Sequence, residues 1–178
     1  MDEPMRGAIR QNNWFVILDP SWTSVTPWSE PPAEVIVGGW MVDEDGGVGP
    51  FQPNPYYIPK DPDAPTDPTD AVLHLIAEGQ QLADDLIGRI RDSMLHIACD
   101  DKDRPVLSRA PDGAPCVLVV TAERHKQGAL VPRWRSVAGA KLPEIIPDGV
   151  DILLNPAGPA PFRLVTATLR AGDDTPDR

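Results

Sequence analysis

The chain has 178 residues, with 16 basic against 27 acidic side chains and a net charge of −11. That length suits one ordinary domain, or a domain with a substantial extension, and it buries roughly two-thirds of the unfolded surface without disulfide or metal staples. The acidic balance sets electrostatics against nucleic acid and anionic membranes as partners and leaves a basic protein open.

The opening "MDEPMRGAIRQ" has no apolar run after its charges, and no later stretch approaches the roughly 20 apolar residues of a membrane span. No membrane span is expected, and the chain is expected to be cytoplasmic, with Cys99 and Cys116 as reduced thiols. Aromatic residues crowd the first region: Trp14, Phe15, Trp22, Trp28, Trp40, Phe51, Tyr56 and Tyr57 precede residue 58, and only Trp134 and Phe162 follow. There "WFVILDPSW" reads as a strand ending at Asp19-Pro20. A second strand runs from Val35 to Val42 and turns tightly through Asp45-Gly46-Gly47. Residues 1–58 therefore form an aromatic-rich β extension.

Pro59, Pro62, Pro65 and Pro68 recur at every third position, the period of a polyproline II helix, so residues 59–66 read as a semi-rigid linker. Asp67 followed by Pro68 is a helix opening, with the carboxylate as N-cap and the proline in the first turn. Val72, Leu75, Ile76, Leu82, Leu86, Ile87 and Ile90 keep a helical apolar stripe that Gly79 can divide in two. "MLHIAC" at 94–99 fits a helix extension and a strand equally well. Pro105 to Ser108 and Ala114 to Val120 read as a hairpin joined by "APDG", and "CVLVV" is apolar enough for a central strand. Glu123 to Val137 has helical character. Val150 to Leu154 reads as a strand closed by Asn155-Pro156, and "FRLVTATL" as a last alternating strand. A disordered tail over 171–178 is expected.

Few side chains suggest chemistry. His96, Cys99, Cys116 and His125 have residue types suited to zinc, but their spacing matches no paired-ligand motif. The stretch Asp43 to Gly47 resembles the start of a calcium loop without its carboxylate ladder or closing Glu, and reads as a hairpin turn. "VGGW" and "GGVGP" precede no helix that could hold a phosphate, so these glycines are read as serving backbone geometry or close packing around Trp40. No serine lies in a nucleophile elbow and neither cysteine has an electropositive setting. Asn155 finds no partner in the sequence, and its turn reads as the structural end of a strand. No catalytic residue, cofactor or metal is expected.

Residues 67–170 resemble the SseB-like N-terminal domain. The resemblance is carried by "DAVLHLIAEGQQLADDLIGRIRDSMLHIAC", by "PDGAPCVLVVTAERH" and by "KLPEIIPDGVDILLNPAGP", where Ala157 separates Pro156 from Gly158. It favours a strand at Met94 to Cys99. With "WFVILDPSW", "PPAEVIVGGWMVDEDGGVGPFQPNPYYIP" and "PTDPTDA" in front, nearly the whole chain is similar to actinobacterial proteins associated with type VII secretion. That resemblance implies a non-enzymatic cytosolic accessory protein that binds a protein partner it does not name. An immunity-like protein or chaperone for a basic toxin or effector is the alternative, and an enzyme with an unrecognised site is a third.

The expected fold is α+β, a mainly antiparallel or mixed sheet packed by helices. Its strands lie near 94–99, 105–108, 115–121, 150–154 and 162–169, its helices within 68–93, and the N-terminal strands extend or abut it. Trp22, Trp28, Trp40, Tyr56 and Tyr57 are the candidate partner surface, because aromatic rings give large contact area at low entropic cost. Within that group Trp40, set in a strand, reads as core, and Trp22 and Trp28, set in a polar and proline-rich loop, read as more exposed.

Overall fold

The computed structural model describes residues 7–24, 26 and 29–171, so Trp28 and the expected disordered tail beyond Ala171 lie outside the described residues. Four strands, β1 (Ile9–Gln11), β2 (Trp14–Leu18), β3 (Ile36–Val42) and β4 (Val48–Pro53), form an antiparallel sheet in chain order. The β3–β4 turn consumes the carboxylate of Asp43, whose Oδ1 accepts from the Gly47 N–H at 2.6 Å while its own N–H donates to Gly47 O at 2.9 Å. Gly38 and Gly39 serve close packing. A Cβ at Gly39 would fall 2.4 Å from Phe15 O, and one at Gly38 2.5 Å from both Gln52 O and the Phe51 ring. This lets Phe15, Trp40 and Phe51 align across three strands, with Trp40 meeting Phe51 edge to face at 5.0 Å. Val37 and Tyr57 complete this small core.

The second sheet is mixed. Its strands are β5 (Met94–Cys99), β6 (Leu107–Arg109), β7 (Pro115–Val120), β8 (Arg133–Ala138), β9 (Asp151–Leu154) and β10 (Phe162–Leu164), ordered β10-β9-β7-β5-β8 with β6 also on β7. Only β7 and β9 run parallel. Against one face pack α1 (Pro68–Ala77), α2 (Ala83–Arg91), α3 (Leu142–Ile145) and α4 (Thr166–Ala171). They bury Leu73, Leu86, Ile90, Leu142 and Leu169 against Leu95, Ile97, Val117, Val119, Ile152 and Leu154. The fold is thus α+β, with antiparallel and mixed sheets packed by helices. The ambiguous run at 94–99 is a strand because it has partners on both sides. Gly79, at φ +96°, ends the first helical stretch. The two sheets abut where Phe51 N–H donates to Asp92 O at 2.7 Å, just before β5 begins.

Three expectations change. Glu123 to Val137 holds a single 3-10 turn, Glu123–Lys126, followed by β8, all six residues of which pair with β5. Pro132 denies a helix its backbone donor there, and an open sheet edge overrides weak helical character. The strand expected over 162–169 stops at Leu164, and α4 follows. A period-two pattern as short as "VTATL" also fits one helical turn, and Leu169 points into the core. The proline-rich linker is not a continuous extended strip: it turns at Asp61, whose Oδ1 accepts from Asp63 N–H and whose carbonyl accepts from Ala64 N–H.

Trp40 is 5% exposed. Trp40→Ala should lower the unfolding free energy by about 3–5 kcal/mol in a urea titration, the cost of truncating a buried aromatic. A loss below about 1 kcal/mol would mean that the ring is not packed.

Candidate functional site

The polar groups of the molecule converge where β7 and β9 end side by side and α1 begins. Asp67 caps α1, its Oδ1 accepting from the N–H groups of Thr69 at 2.9 Å and Asp70 at 3.0 Å, with Pro68 in the first turn. Three residues after the cap, Asp70 reaches back in the manner of a capping box: its Oδ2 accepts from Thr66 N–H at 2.9 Å. Its Oδ1 accepts from Asn155 Nδ2 at 2.8 Å, 85 positions away in sequence. Asn155, fully buried in the left-handed conformation at φ +45°, also accepts on Oδ1 from Thr121 N–H at 3.0 Å. Its Nδ2 contacts Thr121 Oγ1 at 3.0 Å. His125, in the 3-10 turn after β7, closes the cluster with Nε2 at 2.9 Å from Thr66 Oγ1 and 3.3 Å from Asp70 Oδ2. His74, one turn along α1, holds Nε2 at 3.7 Å from the same Asp70 oxygen.

Two carboxylates buried side by side divide their roles. Burial and the neighbouring Asp70 charge push Asp67 above the usual carboxylate range. Burial acts on Asp70 in the same direction but is outweighed by the hydrogen bond and charge of His125, by Thr66 N–H and by the charge of His74, so Asp70 is held below that range. The signs follow. The stability due to ionised Asp70 is present above the ordinary carboxylate range and is lost as pH falls through its depressed pKa. That due to protonated Asp67 is present at low pH and is lost as pH rises through its elevated one.

Beside the cluster opens a polar cavity of about 440 Å³, lined by Asp63, Thr66, Arg124, His125, Gln127 and Gly158 among others. A second cavity of about 420 Å³ is mainly apolar and lies between the N-terminal sheet, the linker and α1, lined by Ile17, Val37, Tyr57, Pro59, Pro65 and Ala71. Along its rim side chains alternate. Tyr57 and Pro59 turn inward, and Tyr56 and Ile58 turn outward, 70% and 68% exposed.

The aromatic group is accordingly divided. Trp40 and Tyr57 are interior, the latter donating its hydroxyl to Asp19 Oδ2 at 3.0 Å; Trp22 is half-buried and Tyr56 is exposed. Burial first, then the hydrogen bond to Asp19 and the negative charge of that carboxylate, push the Tyr57 hydroxyl pKa well above its ordinary value. Cys99 and Cys116 are buried in different apolar clusters, and burial raises both thiols.

The sequence reading missed the cluster. Asn155 does have partners, and its side chain serves long-range bonds to Asp70 and Thr121, not a local turn. The usable signal was the doubled acid Asp67 and Asp70 around a helix start, since only one of the two is needed as a cap. No family model, curated protein or solved structure matches the chain. Among the described residues, no helix is long and apolar enough to cross a membrane.

Asn155→Gly relieves the left-handed backbone but leaves Asp70 Oδ1 and Thr121 N–H buried without their partner. It should cost on the order of 3 kcal/mol in denaturant unfolding, from unsatisfied groups worth about 1–3 kcal/mol each. A neutral or stabilising result would reduce Asn155 to a turn residue.

Proposed function

We propose that the chain is a non-enzymatic accessory module of type VII secretion that docks a protein partner through the segment after β4 that carries Tyr56 and Ile58. The observation that carries the docking surface is the outward pair itself. Two large apolar side chains, 70% and 68% exposed, stand two residues apart, and the residues that alternate with them, Tyr57 and Pro59, are buried. Apolar and aromatic side chains on a fixed backbone are what interface hot spots are made of, because little entropy is lost when they are covered. Half-buried Trp22 follows Asp19 and Ser21, which line the adjoining apolar cleft. The link to secretion rests on the sequence resemblance of residues 67–170 and of the segments before them.

A second reading, an immunity-like protein or chaperone for a basic effector, is favoured by the net charge of −11, which would steer a cationic partner toward the surface.

The paired substitution Tyr56→Ala, Ile58→Ala should leave the melting temperature near that of the parent, since both side chains are mostly in water. In cross-linked pull-downs from native cells, the parent should enrich a component or substrate of the secretion machinery, and the variant should recover about tenfold less of it. Equal recovery by both chains would contradict the docking surface. Enrichment of a basic toxin alone would favour the second reading.

A further inference from the structure

The protonation pattern of the buried cluster assigns a direction to His125. Thr66 Oγ1 lies between the two carboxylates, 2.8 Å from Asp67 Oδ2 and 3.3 Å from Asp70 Oδ2. His125 Nε2 faces the ionised Asp70 carboxylate, an acceptor only, at 3.3 Å from Oδ2, and Thr66 Oγ1 at 2.9 Å, so Nε2 carries the hydrogen. In the neutral ring Nδ1 is then the basic nitrogen. It lies against Gly158, where a Cβ would sit 2.9 Å from it, and the ring, itself 5% exposed, lines the polar cavity of about 440 Å³. Arg124 lines that cavity too, with one N–H on Pro62 O at 3.4 Å and the rest of its fork uncommitted by that bond. Of the charged groups, Asp70 from α1 meets His125 at Nε2, and Asp63 from the linker and Arg124 from its own turn line the same cavity. The turn from Asn155 to Pro159 brings none.

We propose that this cavity binds a small molecule through an oxyacid group, a carboxylate or a phosphate, held between His125 Nδ1 and the Arg124 guanidinium. One proton is shared between Nδ1 and the ligand oxygen: a protonated acid donates to the neutral ring, or an ionised one accepts from the imidazolium, with the same atoms in either case. The Asp70 carboxylate behind Nε2 fixes the orientation of the ring, as an outer partner does for a ligating histidine. The cavity volume falls in the range of small-molecule sites, and it lies past the ends of the parallel pair β7 and β9. The missing side chain at Gly158 keeps a Cβ from standing 2.9 Å from Nδ1.

The test uses the isotopically labelled full chain, titrated with inorganic phosphate and separately with acetate, ionic strength being held constant with sodium chloride. The His125 ring and Gly158 amide signals should shift saturably, and neutral His125 should show Nδ1 as its unprotonated nitrogen. Arg124→Ala, and Gly158→Ala, which sets a methyl against Nδ1, should each weaken binding about tenfold or more while leaving other signals in place. Saturation by phosphate alone assigns a phosphate-bearing ligand, and by acetate alone a carboxylate. The proposal is overturned if chloride shifts the same signals equally, if both variants bind like the parent, or if neutral His125 carries its proton on Nδ1.

Discussion

The amide of Asn155 holds together parts of the chain that nothing local would bring near one another. Its nitrogen donates to Asp70 at the start of α1, and its oxygen accepts from the backbone of Thr121 at the end of β7, while its own backbone closes β9 by donating to Val119 O at 2.9 Å. Two parallel strands and one helix N-terminus are thereby registered at a single buried side chain. Buried polar groups cost several kcal/mol when unpaired and little when fully paired, so a network of this kind tolerates few alternative arrangements. The left-handed backbone at residue 155 belongs to the same constraint, because it lets the strand end and the side chain turn inward at once.

From that point the polar network runs outward to the linker and the cavity. Thr66, the last linker residue but buried, bonds to both carboxylates and contacts His125, so the end of the proline-rich segment is tied to the start of α1 and to the turn after β7. The same tie positions the strip that precedes it. Tyr57 and Pro59 sit in the apolar cleft beside Pro65 and Ala71, and their outward neighbours Tyr56 and Ile58 acquire a fixed backbone. One buried network therefore lies between the exposed pair Tyr56 and Ile58 on one side of the linker and a polar cavity on the other.

Much of the fold was legible in local pattern. Asp67-Pro68 announced α1, the apolar runs of β7 and β9 announced the centre of the sheet, and the tight turn at Asp43 to Gly47 followed from its glycines. Elements whose identity is decided elsewhere were not legible. The residues of β8 become a strand because β5 offers an open edge, and 166–171 become helix because Leu169 finds a place in the core. The site was hidden for the same reason. Asp70, Thr121, His125 and Asn155 are ordinary residues in separate segments, and only the parallel pairing of β7 with β9 over the start of α1 makes them neighbours. The aromatic cluster was visible as composition, but whether each ring faces in or out depends on register: Trp40 pairs between Phe15 and Phe51, whereas Tyr56 lies beyond the last strand of its sheet.

Joined by a buried hydrogen bond of 2.8 Å, Asn155 and Asp70 should act as one unit. A double-mutant cycle in urea with Asn155→Ala, Asp70→Ala and the combined variant measures that directly. The two positions should be coupled by about 1–3 kcal/mol, the combined variant losing less than the sum of the single losses, as for partners in one hydrogen-bond network. Losses that add to within about 0.5 kcal/mol would contradict it and leave the two residues as independent features of a turn and a helix cap.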